Sequence, residues 1–299
     1  MRTFLLSAVA AAMLVATAAG AMGPPTVLAK IKLVGAPGPC ATAAGGGFVW
    51  VSEYSQPYLL RIDPKTNKVL GKTRIGAGAC GLGYGAGSLW IENTTSNTVS
   101  RVSARTFKQL RQIKVGIAPY DTTFAYGAAW ATSHVDGDVE KIDPASNRVV
   151  KRRPVPGAIG VVGAFGSVWA AGNPGVVRVD PSTGATLATI PVPGGAGWTA
   201  ASSDAVWVTS PAGLVRIDPA SNAVAATIKL PAPLGDPDVV GGMVWVPIIN
   251  QNTVAVVDPA TNAVTAKVEV GPGPFVVTQI GGDAWVPSWH GADIWRLRP

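Results

Sequence analysis

Apolar residues arrive along this chain in short runs such as Val49-Trp50-Val51, bounded by Gly, Pro, Asn and Asp rather than recurring at helical spacing. Runs that are continuously apolar predict strands buried on both faces, and the frequent Gly and Pro predict tight turns between them. The stretch GSVWAAGNPGVVRVDPSTG, residues 166–184, is one copy of a pattern that recurs. Trp50, Trp90, Trp130, Trp169, Trp207, Trp245 and Trp285 mark the register, spaced by 40, 40, 39, 38, 38 and 40 residues. A Gly- or Ser-rich turn precedes each marker. Asp-Pro follows it at 63–64, 143–144, 180–181, 218–219 and 258–259, whereas the second unit writes Ser103-Ala104. A period near 40 with several short strands per unit is the signature of a propeller blade.

Each unit reads as an inner strand, a second strand carrying the marker Trp, a third strand such as LLRI (59–62), an Asp-Pro turn and an outer strand such as KVLGKTRI. In the turn, Asp bonds a backbone N–H two residues on, Pro presets φ, and Asn67, Asn147, Gly184, Asn222 or Asn262 accepts φ > 0. These aspartates are therefore expected to make turns rather than to catalyse. The last unit stops at Arg298-Pro299 without an outer strand, and TVLAKIKLV (26–34) matches the outer-strand pattern AVTAKVEV (263–270). The expected fold is all-β, a seven-bladed β-propeller closed by an N-terminal outer strand in the last blade, in one domain over 22–299.

Residues 1–21, with Arg2, an apolar core and Ala19-Gly20-Ala21, have the pattern of a secretory signal peptide, which predicts a periplasmic or secreted protein. No later run is long enough to span a bilayer. The chain carries 24 Lys+Arg against 17 Asp+Glu, and the excess is confined to one half: residues 30–153 hold 17 basic and 8 acidic residues, residues 154–299 hold 6 and 9. Such a bias is either a solubilising surface or an attraction to an anionic partner.

Units such as VSRVSARTFKQLRQIKVGIAPYDTTFAYGAAW and VAVVDPATNAVTAKVEVGPGPFVVTQIGGDAW resemble the YVTN-type repeats of exported bacterial propellers, the YncE-like group, and are also similar to virginiamycin B lyases. The first resemblance implies single-stranded DNA as a candidate partner, with Trp198, Trp289, Tyr54 and Tyr120 as stacking residues. The second implies a lyase or lactonase that uses a divalent metal. WVSE, ending at Glu53, is similar to the lyase Trp-Phe-Thr-Glu loop. The lyase pair of histidines from adjacent blades with nearby glutamates has no counterpart, because the two histidines here lie four blades apart and Ser288 stands two before His290.

Candidate chemistry therefore rests on the loop-bearing face around the channel mouth, where the register places Glu53, Tyr54, Glu92, Tyr120, Asp121, His134, Trp198, Asp236, Trp289 and His290. Cys40 and Cys80 each lie ten residues before a marker Trp, and in an exported chain such a pair is a candidate disulfide, conditional on the spacing of the two inner strands. Motifs for phosphate cradles, elbow-type hydrolysis and zinc proteolysis do not occur in the sequence. The expectation is a monomeric, non-enzymatic scaffold without cofactor, binding an envelope protein, an anionic polymer or a small molecule. The alternative is the metal-dependent lyase.

Overall fold

The computed structural model describes residues 23–299, so the expected leader over 1–21 lies outside the described residues. Strands over this span pair into seven four-stranded antiparallel sheets, one per blade. Blade one comprises, from the axis outward, Pro39–Gly45, Phe48–Glu53, Tyr58–Asp63 and Lys68–Arg74. Blade seven comprises Thr278–Ile280, Asp283–Pro287 and Asp293–Arg298, and its outer strand is Thr26–Lys32 from the other end of the chain. Thr26 pairs with Arg298 and Lys32 with Asp293, so first and last strands close the ring. No helix of the described residues is long and apolar enough to cross a membrane.

The Asp-Pro turns have the anticipated chemistry. Asp63 Oδ1 accepts the Lys65 N–H at 2.8 Å, Asp63 Oδ2 accepts the Thr66 hydroxyl at 2.9 Å, and Asn67 closes the turn at φ 57°. Those donors hold the Asp63 carboxyl below its ordinary range, the Lys65 N–H foremost. Equivalent turns stand at Asp143, Asp180, Asp218 and Asp258.

All seven marker indoles are buried between blades, at 0–1% exposure. Each lies on its second strand directly opposite a third-strand residue, and in six blades that residue is basic: Arg61, Arg101, Lys141, Arg178, Arg216 and Arg296. In all but Arg61 the cation covers the indole face and its tip reaches the next blade's turn. Arg101 sits 4.8 Å from the Trp90 ring centre and donates through Nη1 to Pro144 O at 2.6 Å and Asn147 Oδ1 at 2.7 Å. Arg178 over Trp169 clasps Pro219 O and Asn222 Oδ1, and Arg216 over Trp207 clasps Pro259 O and Asn262 Oδ1. Arg296 over Trp285 returns to Pro64 O and Asn67 Oδ1 of blade one, and Lys141 over Trp130 reaches Pro181 O.

The exceptions obey the same logic. Blade two has Ser103-Ala104 in place of Asp-Pro, and there Arg61 lies over the Phe48 and Phe107 rings, at 4.6 and 4.7 Å. Blade seven has no such turn because its outer strand comes from the N-terminus, and the residue opposite Trp245 in blade six is Val256.

Arg216→Met, which keeps an apolar cover on Trp207 but removes the clasp, is expected to destabilise the protein by about 1–3 kcal/mol in urea unfolding, since hydrogen bonds to charged groups carry that much. Arg61→Met, with no turn to lose, is expected to cost about 1 kcal/mol or less. Equal losses for the two would refute the clasp.

Candidate functional site

The inner strands of blades one to three begin with a bulge, and side chains two residues beyond the marker Trp accept N–H groups at the strand entry in these blades and in blade five. Ser52 Oγ accepts from Ala41 at 3.1 Å, Glu92 Oε1 from Gly81 at 2.8 Å, Thr132 Oγ1 from Asp121 at 3.0 Å and Thr209 Oγ1 from Trp198 at 2.9 Å. Glu92 thus performs in blade two the task that hydroxyls perform elsewhere. Its Oε2 accepts the Thr94 hydroxyl at 3.0 Å. Burial, ahead of the nearby Asp121 charge, pushes its carboxyl well above the ordinary carboxylate range.

Residues ten before the marker form the top of the channel wall: Cys40, Cys80, Tyr120 and Phe275, with Trp198 nine before its own marker. Cys40 and Cys80 are joined as a disulfide with Cα atoms 5.0 Å apart, tying blades one and two at the mouth. Aromatic residues from four blades meet above the channel. His134 stacks on Tyr120 (4.7 Å between ring centres), Tyr120 lies 6.5 Å from Trp198, and Trp198 meets the edge of Phe275 at 5.0 Å. Phe275 lies 4.8 Å from Trp289, which contacts Tyr54 at 5.7 Å and stacks on His290 at 5.4 Å. A cavity of about 240 Å³ lies among Tyr54, Tyr120, Trp198, Phe275 and Trp289, with the disulfide, Glu92 and Thr94 completing its wall. A second depression on this face, about 460 Å³, adjoins it at Trp198 and contains His134 and Asn173.

The sequence-based map thus gathers Tyr54, Glu92, Tyr120, Trp198 and Trp289 around one cavity, with His134 and His290 at the two ends of the aromatic chain. Three acids are placed differently from the expectation. Glu53 is not at the mouth: it shares the strand face of Val49 and Val51, which pack with Trp285 and Ile294 of blade seven, and it is 1% exposed. Neither of its carboxylate oxygens has a partner, and burial raises its pKa to about 8 against the opposing pull of Lys72. Asp121 and Asp236 belong to the channel wall below the rim loops: Asp121 lies inside the bulged strand Pro119–Ala125, and Asp236 precedes the strand Asp238–Val240 and bridges to Val276 of blade seven. Asp121 accepts Val161 N–H of the next blade at 2.8 Å, and burial raises its carboxyl to about 6. Asp236 is raised well above the usual range by burial, then by the Asp121 and Asp238 charges. Phe275 was missed by the sequence-based map, although its place ten before Trp285 repeats that of Tyr120 before Trp130.

The lyase alternative requires ligands for a divalent ion. Among the described residues no three His, Cys, Asp or Glu side chains converge to hold one, and His134 and His290 stack on different rings, Tyr120 and Trp289. The donor set does not fit a metal centre of that type.

Comparisons with known proteins agree on architecture. Residues 72–201 match the family described as a repeat of unknown function (DUF6923). No curated protein matches the chain. A chain of Kuenenia stuttgartiensis hydrazine synthase is similar at 15% identity and TM-score 0.74, over 89% of this chain and 97% of that one. A streptogramin B lyase structure is similar at 14% identity and TM-score 0.79, over 92% and 97%. BamB from Moraxella catarrhalis is similar at 14% identity and TM-score 0.65, over 93% and 98%. At such identities the likeness is one of fold.

Glu53→Gln provides a pH test. The folded-state pKa of about 8 exceeds the ordinary 4.5, so folded protein binds the extra proton between these values and wild-type stability falls as pH rises through that window. The variant is expected to match wild type near pH 4 and to exceed it by on the order of 2–4 kcal/mol near pH 8, read from denaturant midpoints. A difference that does not change with pH would place Glu53 in contact with water or a cation.

Proposed function

We propose that this chain is an exported, non-enzymatic propeller of the YncE-like kind, a monomer of one domain over 22–299, that holds a small molecule at the channel mouth. The observation carrying this reading is the ring of five aromatic side chains around a cavity rather than within the interblade core. Large side chains are driven to pack away from water. Here they border open space where loops from several blades converge, and a concave, largely apolar site with a few polar groups is the common form of a small-molecule pocket.

Among the expected partners, the small molecule is favoured over an anionic polymer. A stacking platform for single-stranded nucleic acid pairs its rings with a basic groove. Among the described residues, those lining this cavity and the channel below include Glu92, Asp121, Asp236 and Asp238 but no Lys or Arg. The exposed cations Lys68, Arg74, Arg111, Lys114 and Arg148 stand on outer strands instead, away from the mouth.

A thermal-shift screen of small molecules, lactones, divalent ions, nucleic acids and cell-wall polymers tests the reading. A small-molecule hit is expected to raise the melting temperature, and Trp198→Ala is expected to abolish that shift while the protein stays folded. The reading fails if binding is confined to polyanions and is lost on Arg111→Ala and Lys114→Ala but not on Trp198→Ala.

A further inference from the structure

We propose that the mouth cavity is an aromatic cage for a compact quaternary ammonium compound, an identification of ligand class that rests on the ligand-binding reading above. The first argument is shape. Successive rings around the cavity turn by 77°, 46°, 80° and 31° from Tyr54 through Trp289, Phe275 and Trp198 to Tyr120, so they stand as panels around a space rather than as a stack. Ring faces are the negative poles of the aromatic quadrupole, and several faces around one space attract a cation. The volume of about 240 Å³ falls below the roughly 300–1,000 Å³ of sites for drug-sized ligands, which restricts the occupant to a small one.

The second argument is charge along the axis. Glu92 stands in the cavity wall and Asp121, Asp236 and Asp238 line the channel beneath it, with no Lys or Arg lining either space. Burial holds these carboxyls toward their neutral forms; an entering cation meets no competing positive group among the described residues, and its arrival favours ionisation of Glu92. A carboxylate-bearing or phosphate-bearing ligand finds no positive partner there.

The third argument separates kinds of cation. A primary ammonium brings three N–H donors that need acceptors when desolvated. The polar atoms of the wall are already engaged, Glu92 Oε1 by the Gly81 N–H and Glu92 Oε2 and Pro119 O by the one Thr94 hydroxyl, and the rest of the wall is ring surface and a disulfide, so three N–H donors would not all find acceptors. A quaternary nitrogen has no N–H to satisfy, so its methyl groups rest on the rings while its charge is felt through them. Trp198 and Trp289 are then the main walls, Tyr54 the rim and Glu92 the counter-charge.

Titration with choline and tetramethylammonium, against the neutral isostere 3,3-dimethylbutan-1-ol, tests this by tryptophan fluorescence and thermal shift. Both cations are expected to give a saturable change, at least tenfold tighter than the isostere. Trp198→Leu and Trp289→Leu are expected to lose tenfold or more. Tyr54→Leu, at an exposed rim position that leaves the fold intact, is expected to lose severalfold, as is Glu92→Gln, which retains an acceptor for Gly81. Equal affinity for the isostere overturns the cation claim, as does no saturable response to either cation at tens of millimolar. If some other ligand still binds in a Trp198-dependent way, the cage proposal has failed and the mouth remains a ligand site; if no ligand of any class depends on Trp198, both readings fall.

Discussion

The ring is held by a contact made again and again between blades: a cation lying on a buried indole in one blade while its tip bonds the Asp-Pro-x-x-Asn turn of the next. Each component meets a need of the others. The indole fills the wedge between sheets, the guanidinium shields it from water and saturates its own donors on a carbonyl and an amide, and the turn offers both acceptors because Asn closes it. Where a turn lacks those acceptors the cation goes to a phenyl face, and where the turn is missing the cation is missing too, as Arg61 and Val256 show. The marker and the turn are therefore one device distributed over two blades.

With adjacency secured at mid-radius, the axis is free to carry other chemistry. Inner strands approach so closely that a Cβ at Gly81 would stand 2.9 Å from Asp121 Cα, and one at Gly160 would stand 2.8 Å from Gly197 O. Where the strands enter at the top, the position ten before the marker crosslinks in blades one and two, as Cys40 and Cys80 do, and carries a ring in blades three and seven, as Tyr120 and Phe275 do. Charge is sorted by radius, with unpartnered cations on the outer strands of the first three blades and acids on the axis. The uneven basic content of the chain is thus an outer-wall property, and among the described residues no Lys or Arg lines the mouth.

How much of this can be read from the chain follows from the range of each contact. Blade number, turn chemistry and closure by the first strand were legible because Trp spacing, Asp-Pro and the match of 26–34 to 263–270 are local patterns repeated in register. The rim rings Tyr54, Tyr120, Trp198 and Trp289 were legible by the same register. Glu53 was misplaced because a strand end was taken for a loop, although the two-residue alternation from Val49 and Val51 sends it between blades. Asp121 sits lower than the rim because a bulged strand entry rich in Gly and Pro reads as a loop, and Asp236 because its segment bridges to Val276 of blade seven along the channel wall. The clasp was hidden: Arg178 and its acceptors are 41 and 44 residues apart, and nothing local to either announces the other.

The first and last strands lie side by side and antiparallel, with Thr26 opposite Arg298 at the end from which both chain termini leave. Hydrogen bonds across such a pair run perpendicular to the strands. A force applied between the termini therefore loads these bonds one after another, from Thr26–Arg298 towards Lys32–Asp293, rather than all together. The same arrangement that covers the outer edge of Asp293–Arg298 makes the junction a zipper under tension, and the ring's resistance to being pulled apart is set by a single rung at a time.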